Sequence, residues 1–238
     1  MQQKNGVTSF AVSRALKCAA LVLLGCAVPL FPQNASTAGD AAKPTTTTLF
    51  FARTGQSIVT PYVGTIHYLE FLQIRNRWIY PDIGYIDFAH GNYREFFIGG
   101  GRTLVDAKKV SWDQELLYVQ ATGPAAKSGR YLQPWSMVRV QFTPKFSNET
   151  VYFLYIPINH AARVQNVLER AKFEYAVRKH WKIGAGYAAY KFANTRHQNK
   201  PLLTTTISTK AGAFEFWLQK IPNGAQVQLR YALVRKSR

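Results

Sequence analysis

The stretch AKFEYAVRKHWKIGAGYAAYKF, Ala171–Phe192, decides the fold class. From Ala171 to Arg178 the odd positions are Ala171, Phe173, Tyr175 and Val177, and the even positions are Lys172, Glu174, Ala176 and Arg178. After Lys179-His180 the alternation resumes, with Trp181, Ile183, Ala185, Tyr187 and Ala189 against Lys182, Gly184, Gly186 and Ala188. A period of two marks a strand, because successive side chains point to opposite faces. The stretch therefore predicts a β-hairpin with one aromatic, apolar face and one face of charge and glycine.

The same grammar extends in both directions. Downstream, Ala213–Lys220 sets Phe214, Phe216 and Leu218 against Glu215 and Gln219, with Trp217 on the polar side. Pro222-Asn223-Gly224 is a strong turn signal. Gln226–Val234 then sets Val227, Leu229, Tyr231 and Leu233 against Gln226, Gln228 and Arg230. Upstream, Val138, Val140 and Phe142 oppose Arg139, Gln141 and Thr143. Around the His90-Gly91-Asn92 turn, Tyr85 and Asp87 oppose Gly84, Ile86 and Phe88, and Glu95 and Phe97 oppose Phe96 and Ile98. Gly99-Gly100-Gly101 reads as a strand kink or bulge. Val63–Ile74 is mostly apolar with ambiguous faces, Val151–Ile158 is apolar on both faces, and Asn159–Leu168 stays open between a loop and a helical turn. The reading is about eight to ten strands, each near the ~10 residues a tilted strand needs to cross a bilayer.

The chain has 238 residues, enough for one all-β domain, and a formal net charge of +18. Residues 1–38 read as a signal peptide: Lys4, Arg14 and Lys17 precede the apolar run Cys18–Val28, and Ser36 and Ala38 suit cleavage after Ala38. A retained anchor, and acylation at Cys26 within Leu23-Leu24-Gly25-Cys26, are the alternatives. Residues 39–59 read as a polar periplasmic lead-in, with a short strand at Leu49–Ala52, and residues 60–238 as the barrel. Both cysteines, Cys18 and Cys26, lie in the leader, so a mature domain would have no disulfide or thiol chemistry. Beyond the leader no apolar run is long enough for a transmembrane helix, so an integral form must be a closed barrel.

With its leader, its run of hairpins and its aromatics near segment ends (Trp78, Tyr80, Trp135, Trp181, Tyr190, Trp217, Tyr231), the chain resembles small bacterial outer-membrane β-barrel proteins over about Thr60–Val234. The resemblance is one of pattern. It implies an antiparallel up-and-down barrel in the outer membrane, aromatic girdles at both interfaces, and the barrel-assembly machinery as a partner. One departure stands out. The last strand of that class ends at an aromatic residue, whereas here Arg235-Lys236-Ser237-Arg238 follow, leaving Tyr231 as the candidate. A soluble or lipid-anchored periplasmic lipocalin-like binding protein alternates too, with its apolar face inward. Small residues beside charges on the polar faces favour a crowded barrel interior. There Asp87, Glu95, Glu174 and Glu215 would pair with Arg139, Lys172, Arg178 and Arg230, because an unpaired buried charge is costly.

No catalytic, cofactor or metal constellation emerges. His67, His90, His160, His180 and His197 have no partner at metal-ligand spacing. Asn159-His160 lacks a convincing serine for a lipid-modifying barrel enzyme, which stays as an alternative. Asp87, Glu95 and Glu174 fit salt bridges better than a paired-carboxylate site. The expected role is structural or a narrow, mostly plugged pore, in a monomer. Surplus positive charge would sit on the rims, facing outer-membrane lipids, lipopolysaccharide phosphates or anions. Nucleic acid is a poor partner for an exported chain.

Overall fold

The computed structural model describes residues 46–57, 66–75, 79–88, 91–126, 128–159, 164–191, 197–210, 212–221 and 224–237. The leader and its cleavage or acylation site lie outside the described residues, as do Trp78, His90, His160 and the Pro222-Asn223 turn residues.

Twelve antiparallel strands close into one barrel. They are β1 (Thr46–Ser57), β2 (Ile66–Arg75), β3 (Tyr80–Phe88), β4 (Tyr93–Asp106), β5 (Val110–Thr122), β6 (Arg130–Gln141), β7 (Phe146–Pro157), β8 (Gln165–Arg178), β9 (Trp181–Lys191), β10 (Gln198–Ser208), β11 (Ala213–Ile221) and β12 (Gly224–Ser237). Each strand pairs with its sequence neighbours, and β1 closes on β12 from Thr46↔Ser237 to Ser57↔Gln226. Closure leaves no free strand edge, as a lipid environment requires. Among the described residues no helix is long and apolar enough to cross a membrane.

Two boundaries differ from the sequence reading. The stretch 39–59, expected as a lead-in, contributes β1, so the barrel begins before residue 60 and has twelve strands, more than the eight to ten expected. The Asn159–Leu168 ambiguity resolves into the start of β8 at Gln165. β12 runs through Ser237 instead of stopping at Val234.

The polarity is inverted relative to a soluble protein. Phe173, Tyr175, Val177, Val227 and Leu233 face outward and are exposed, while Lys172 and Glu174 between them are buried. Outward-facing Leu69, Phe71, Ile83, Phe96, Ile98, Leu116, Leu203, Phe216 and Leu218 continue this apolar surface around the barrel. An aqueous exterior would not sustain so large a continuous apolar surface; a hydrocarbon exterior requires it. The barrel therefore crosses a membrane with its strands.

The aromatics divide differently from the expected girdles. Tyr80, Trp135, Tyr190 and Trp217 point into the lumen, and Tyr80 and Trp217 are fully buried. Phe142, Phe146 and Phe173 stack at one end of the outer face, with ring centroids 5.5–6.4 Å apart. Trp181 is exposed at the same end, as is Phe214, whose ring centroid lies 4.7 Å from that of half-buried Tyr231. That end carries the short connections 107–109, 142–145, 179–180 and 209–212, whereas the other carries the longer 58–65, 123–129, 158–164 and 192–197. Such an asymmetry of short turns at one end and longer loops at the other is the rule for transmembrane barrels.

Candidate functional site: the lumen

The lumen is built by the inward positions of every strand. One local irregularity shapes its centre. Between Val151↔Arg170 and Tyr152↔Leu168 the β7–β8 register slips by one residue, which leaves Glu169 as a bulge. A bulge re-aims a side chain. Here consecutive Glu169 and Arg170 both turn into the lumen, and the inward parity changes from Gln165 and Val167 to Arg170, Lys172 and Glu174.

Around this bulge stands a connected ion-pair network. Glu169 accepts from Arg53 Nη1 and from Arg170 Nη1, each at 2.6 Å, and lies 3.8 Å from Arg230 Nη2. Glu149 accepts from Arg170 Nε at 2.7 Å and Arg139 Nε at 3.1 Å. Arg139 also reaches Asp113 at 3.4 Å. Lys172 pairs with Glu215, with Glu174 at 3.5 Å and with Glu149 at 3.6 Å. Arg230 pairs with Glu215 at 3.4 Å. Five bases (Arg53, Arg139, Arg170, Lys172, Arg230) thus meet five acids (Asp113, Glu149, Glu169, Glu174, Glu215). Gly184 makes room for one of them: a Cβ there would stand 2.9 Å from Glu174 Cγ and 2.7 Å from Thr204 Oγ1.

These bonds cross the barrel. β1 and β8 are five strands apart around the wall, and β8 and β11 three apart, yet their side chains bond directly. Trp217 stands at the hub, with Arg230, Arg53 and Arg170 at 4.4, 5.6 and 5.9 Å from its ring centroid. Gln228 also holds Arg53, accepting from its Nε at 2.7 Å. The lumen is filled by side chains at this level.

The β2–β5 wall is of a different kind. There the carboxylates meet tyrosines. Tyr93 donates to Glu95, and Tyr155 reaches the same carboxylate from β7 at 2.9 Å. Tyr68 donates to Glu70, and Tyr80 donates to Glu115 at 2.9 Å. Glu70, Asp82 and Glu115 each bring a carboxylate oxygen to within 4.8 Å of the others. Next to this wall an apolar cluster that includes Phe97, Leu117, Val119, Tyr131, Tyr155 and Val167 packs on the lumen side. Of the chain's 12 acidic residues, nine therefore face the lumen: the network's five together with Glu70, Asp82, Glu95 and Glu115.

Six of the eight residues expected inside are inside. Arg139, Lys172, Glu174, Glu215 and Arg230 belong to the network, and Glu95 lies apart with its tyrosines. Asp87 and Arg178 correct the expectation. Asp87 faces outward at the β3–β4 hairpin, where it pairs with exposed Arg94 at 3.4 Å and accepts from Gly91 N–H at 2.6 Å. The inward positions of β3 are Tyr80, Asp82, Gly84 and Ile86. Arg178 is exposed at the β8–β9 turn, beyond a second register shift at Ala176/Arg178. Of the described histidines, His67 meets Thr54 on the outer face, and His180 and His197 are exposed at opposite rims.

An inside-out, closed, all-antiparallel barrel with a charged lumen is a porin-like transmembrane β-barrel fold. Solved structures agree on the fold. The KdgM porin in complex with disordered oligogalacturonate is similar with a TM-score of 0.54 at 12% identity, covering 78% of this chain and 97% of that one. The NanC porin is similar with a TM-score of 0.51 at 9% identity, covering 79% of this chain and 100% of that one. No family model and no curated protein sequence matches the chain.

Proposed function

We propose that this protein is a narrow outer-membrane channel for small solutes, closed at rest by the ion-pair network around Trp217. The observation that carries the reading is the Arg53–Glu169 bond, 2.6 Å long between nearly opposite walls. A permanently open pore has no use for a charged crossbar on its axis. A lattice of ion pairs can exchange partners without leaving a charge uncompensated. Nine lumen acids against the five network bases leave no surplus positive charge to concentrate anions, and the reading extends to small neutral or cationic solutes.

The rims carry the positive charge. Lys108, Lys109, Lys145, Lys179 and Lys210 border the short-turn end, and Arg94 and Arg130 the other. Their placement supports contacts with phospholipid phosphates at the first rim and lipopolysaccharide phosphates at the second, each base near a surface adding about 1 kcal/mol of attraction. Conductance in planar bilayers tests the channel: wild type shows brief, low-conductance openings, and Arg53→Ala with Glu169→Gln raises the open fraction. A large, steady wild-type conductance would refute closure by the network.

A further inference from the structure

We propose that Glu70, Asp82 and Glu115 form a binding site for a hard divalent cation of the Ca²⁺ class, set in the lumen wall between β2, β3 and β5. The donor set is all carboxylate, which suits a hard cation. Two oxygens on opposite sides of a Ca²⁺ lie about 4.6–5.2 Å apart, and one oxygen from each of the three residues lies within 4.8 Å of the other two. Three oxygens no more than 4.8 Å apart lie within about 2.8 Å of one common centre, close to the ~2.3–2.6 Å of Ca²⁺–oxygen bonds.

An independent observation points the same way. Both Asp82 carboxylate oxygens and Glu115 Oε2 are buried without a hydrogen-bond partner, on side chains of residues only 1% and 4% exposed. Among the described residues none of the lumen ion pairs includes Glu70, Asp82 or Glu115, although the network bases stand in the same lumen. An uncompensated buried carboxylate is among the costliest groups a fold can hold. The two tyrosines fit the role of orienting groups. Tyr80 donates to Glu115 Oε1 and leaves Oε2 for the ion, and Tyr68 donates to Glu70 Oε2 and leaves Oε1. Such outer partners fix the direction of ligating carboxylates. Gly101 gives the site its floor, since a Cβ there would stand 2.4 Å from Glu115 Cγ and 2.8 Å from Tyr80 Cζ. The bound ion would tie β5 to the β2–β3 hairpin over the intervening β4.

The test uses the full chain, purified from outer membranes in detergent, stripped with chelator and titrated with Tb³⁺ under excitation of the tyrosines. Tyr68 and Tyr80 make the ion's emission a local reporter. The expected result is saturable binding of one equivalent, competed by Ca²⁺, and weakened about tenfold or more by Asp82→Asn or by Glu70→Gln. Asp87→Asn, on the outer face, leaves it unchanged. The heat-shifted gel band reports that each variant is folded, and either lumen variant suffices alone. Absence of saturable binding at neutral pH would mean that protons neutralise the three carboxylates, and would overturn the site. Binding that persists unchanged in both lumen variants would overturn it too.

Discussion

Arg53 and Glu169 offer the sharpest perturbation of the lumen. Their 2.6 Å contact corresponds to a Coulomb attraction of about 6 kcal/mol at an effective dielectric constant of about 20. Desolvation offsets much of that, and removing one partner of a buried pair costs about 3–5 kcal/mol. Glu169→Gln spreads its effect unequally. Arg170 keeps Glu149, and Arg230 keeps Glu215, but Arg53 loses its one carboxylate and retains Gln228 and the Trp217 ring. The expected loss is therefore near the lower end, about 3 kcal/mol. Arg53→Ala leaves Glu169 with Arg170 and the more distant Arg230, and costs a similar amount. The double variant removes both stranded groups, so its cost falls short of the sum by about 1–3 kcal/mol. The assay is urea unfolding in detergent, followed by tryptophan emission, which Trp217 makes sensitive to the hub. Additivity within about 0.5 kcal/mol would refute direct coupling across the lumen.

Other consequences follow from inside and outside. Leu203→Arg, on the outer face at mid-strand, should destabilise the barrel by about 2–4 kcal/mol, seen as a lower temperature for the heat-shifted band. Asp87→Asn breaks an exposed hairpin pair and should cost under about 1 kcal/mol, with bilayer conductance unchanged. Gly101→Val places a Cβ 2.4 Å from Glu115 Cγ and 2.8 Å from Gln114 O, so the fraction of chain reaching the heat-shifted form should fall sharply. Replacing Lys108, Lys109 and Lys145 with Gln should reduce the thermal stabilisation gained on adding anionic phospholipid, by about 1 kcal/mol per base.

The strands whose faces the sequence displays plainly are those whose inward side is polar. In β8, β11 and β12 the alternation of Lys172 and Glu174, of Glu215 and Gln219, and of Gln226, Gln228 and Arg230 is visible by eye, and each of these residues lies in the lumen. Where aromatics fill the lumen, the contrast disappears. β7 carries Val151, Phe153 and Tyr155 inward and Tyr152 and Leu154 outward, so it reads as apolar throughout. β2 hides Glu70 for a related reason, with Tyr68 beside it and Leu69 and Phe71 opposite. The Glu169 bulge breaks the period within β8, which is why Gln165–Leu168 did not look continuous with Ala171–Arg178. Position near a segment end says nothing about facing, and so Tyr80, Trp135, Tyr190 and Trp217 looked like interface aromatics. Partners across the lumen, such as Arg53 with Glu169 or Lys172 with Glu215, are set by closure and stagger, which alternation within one strand does not encode.

The measurement that bears most directly on the inside-out barrel is gel mobility with and without boiling, on outer membranes from a Gram-negative host expressing the full chain. The structure predicts a carbonate-resistant membrane band that migrates differently before and after boiling, as a closed, tightly braced barrel does. A soluble periplasmic protein with no heat shift would contradict it, because the exposed surface of Phe173, Leu203 and Phe216 would then have no hydrocarbon to face.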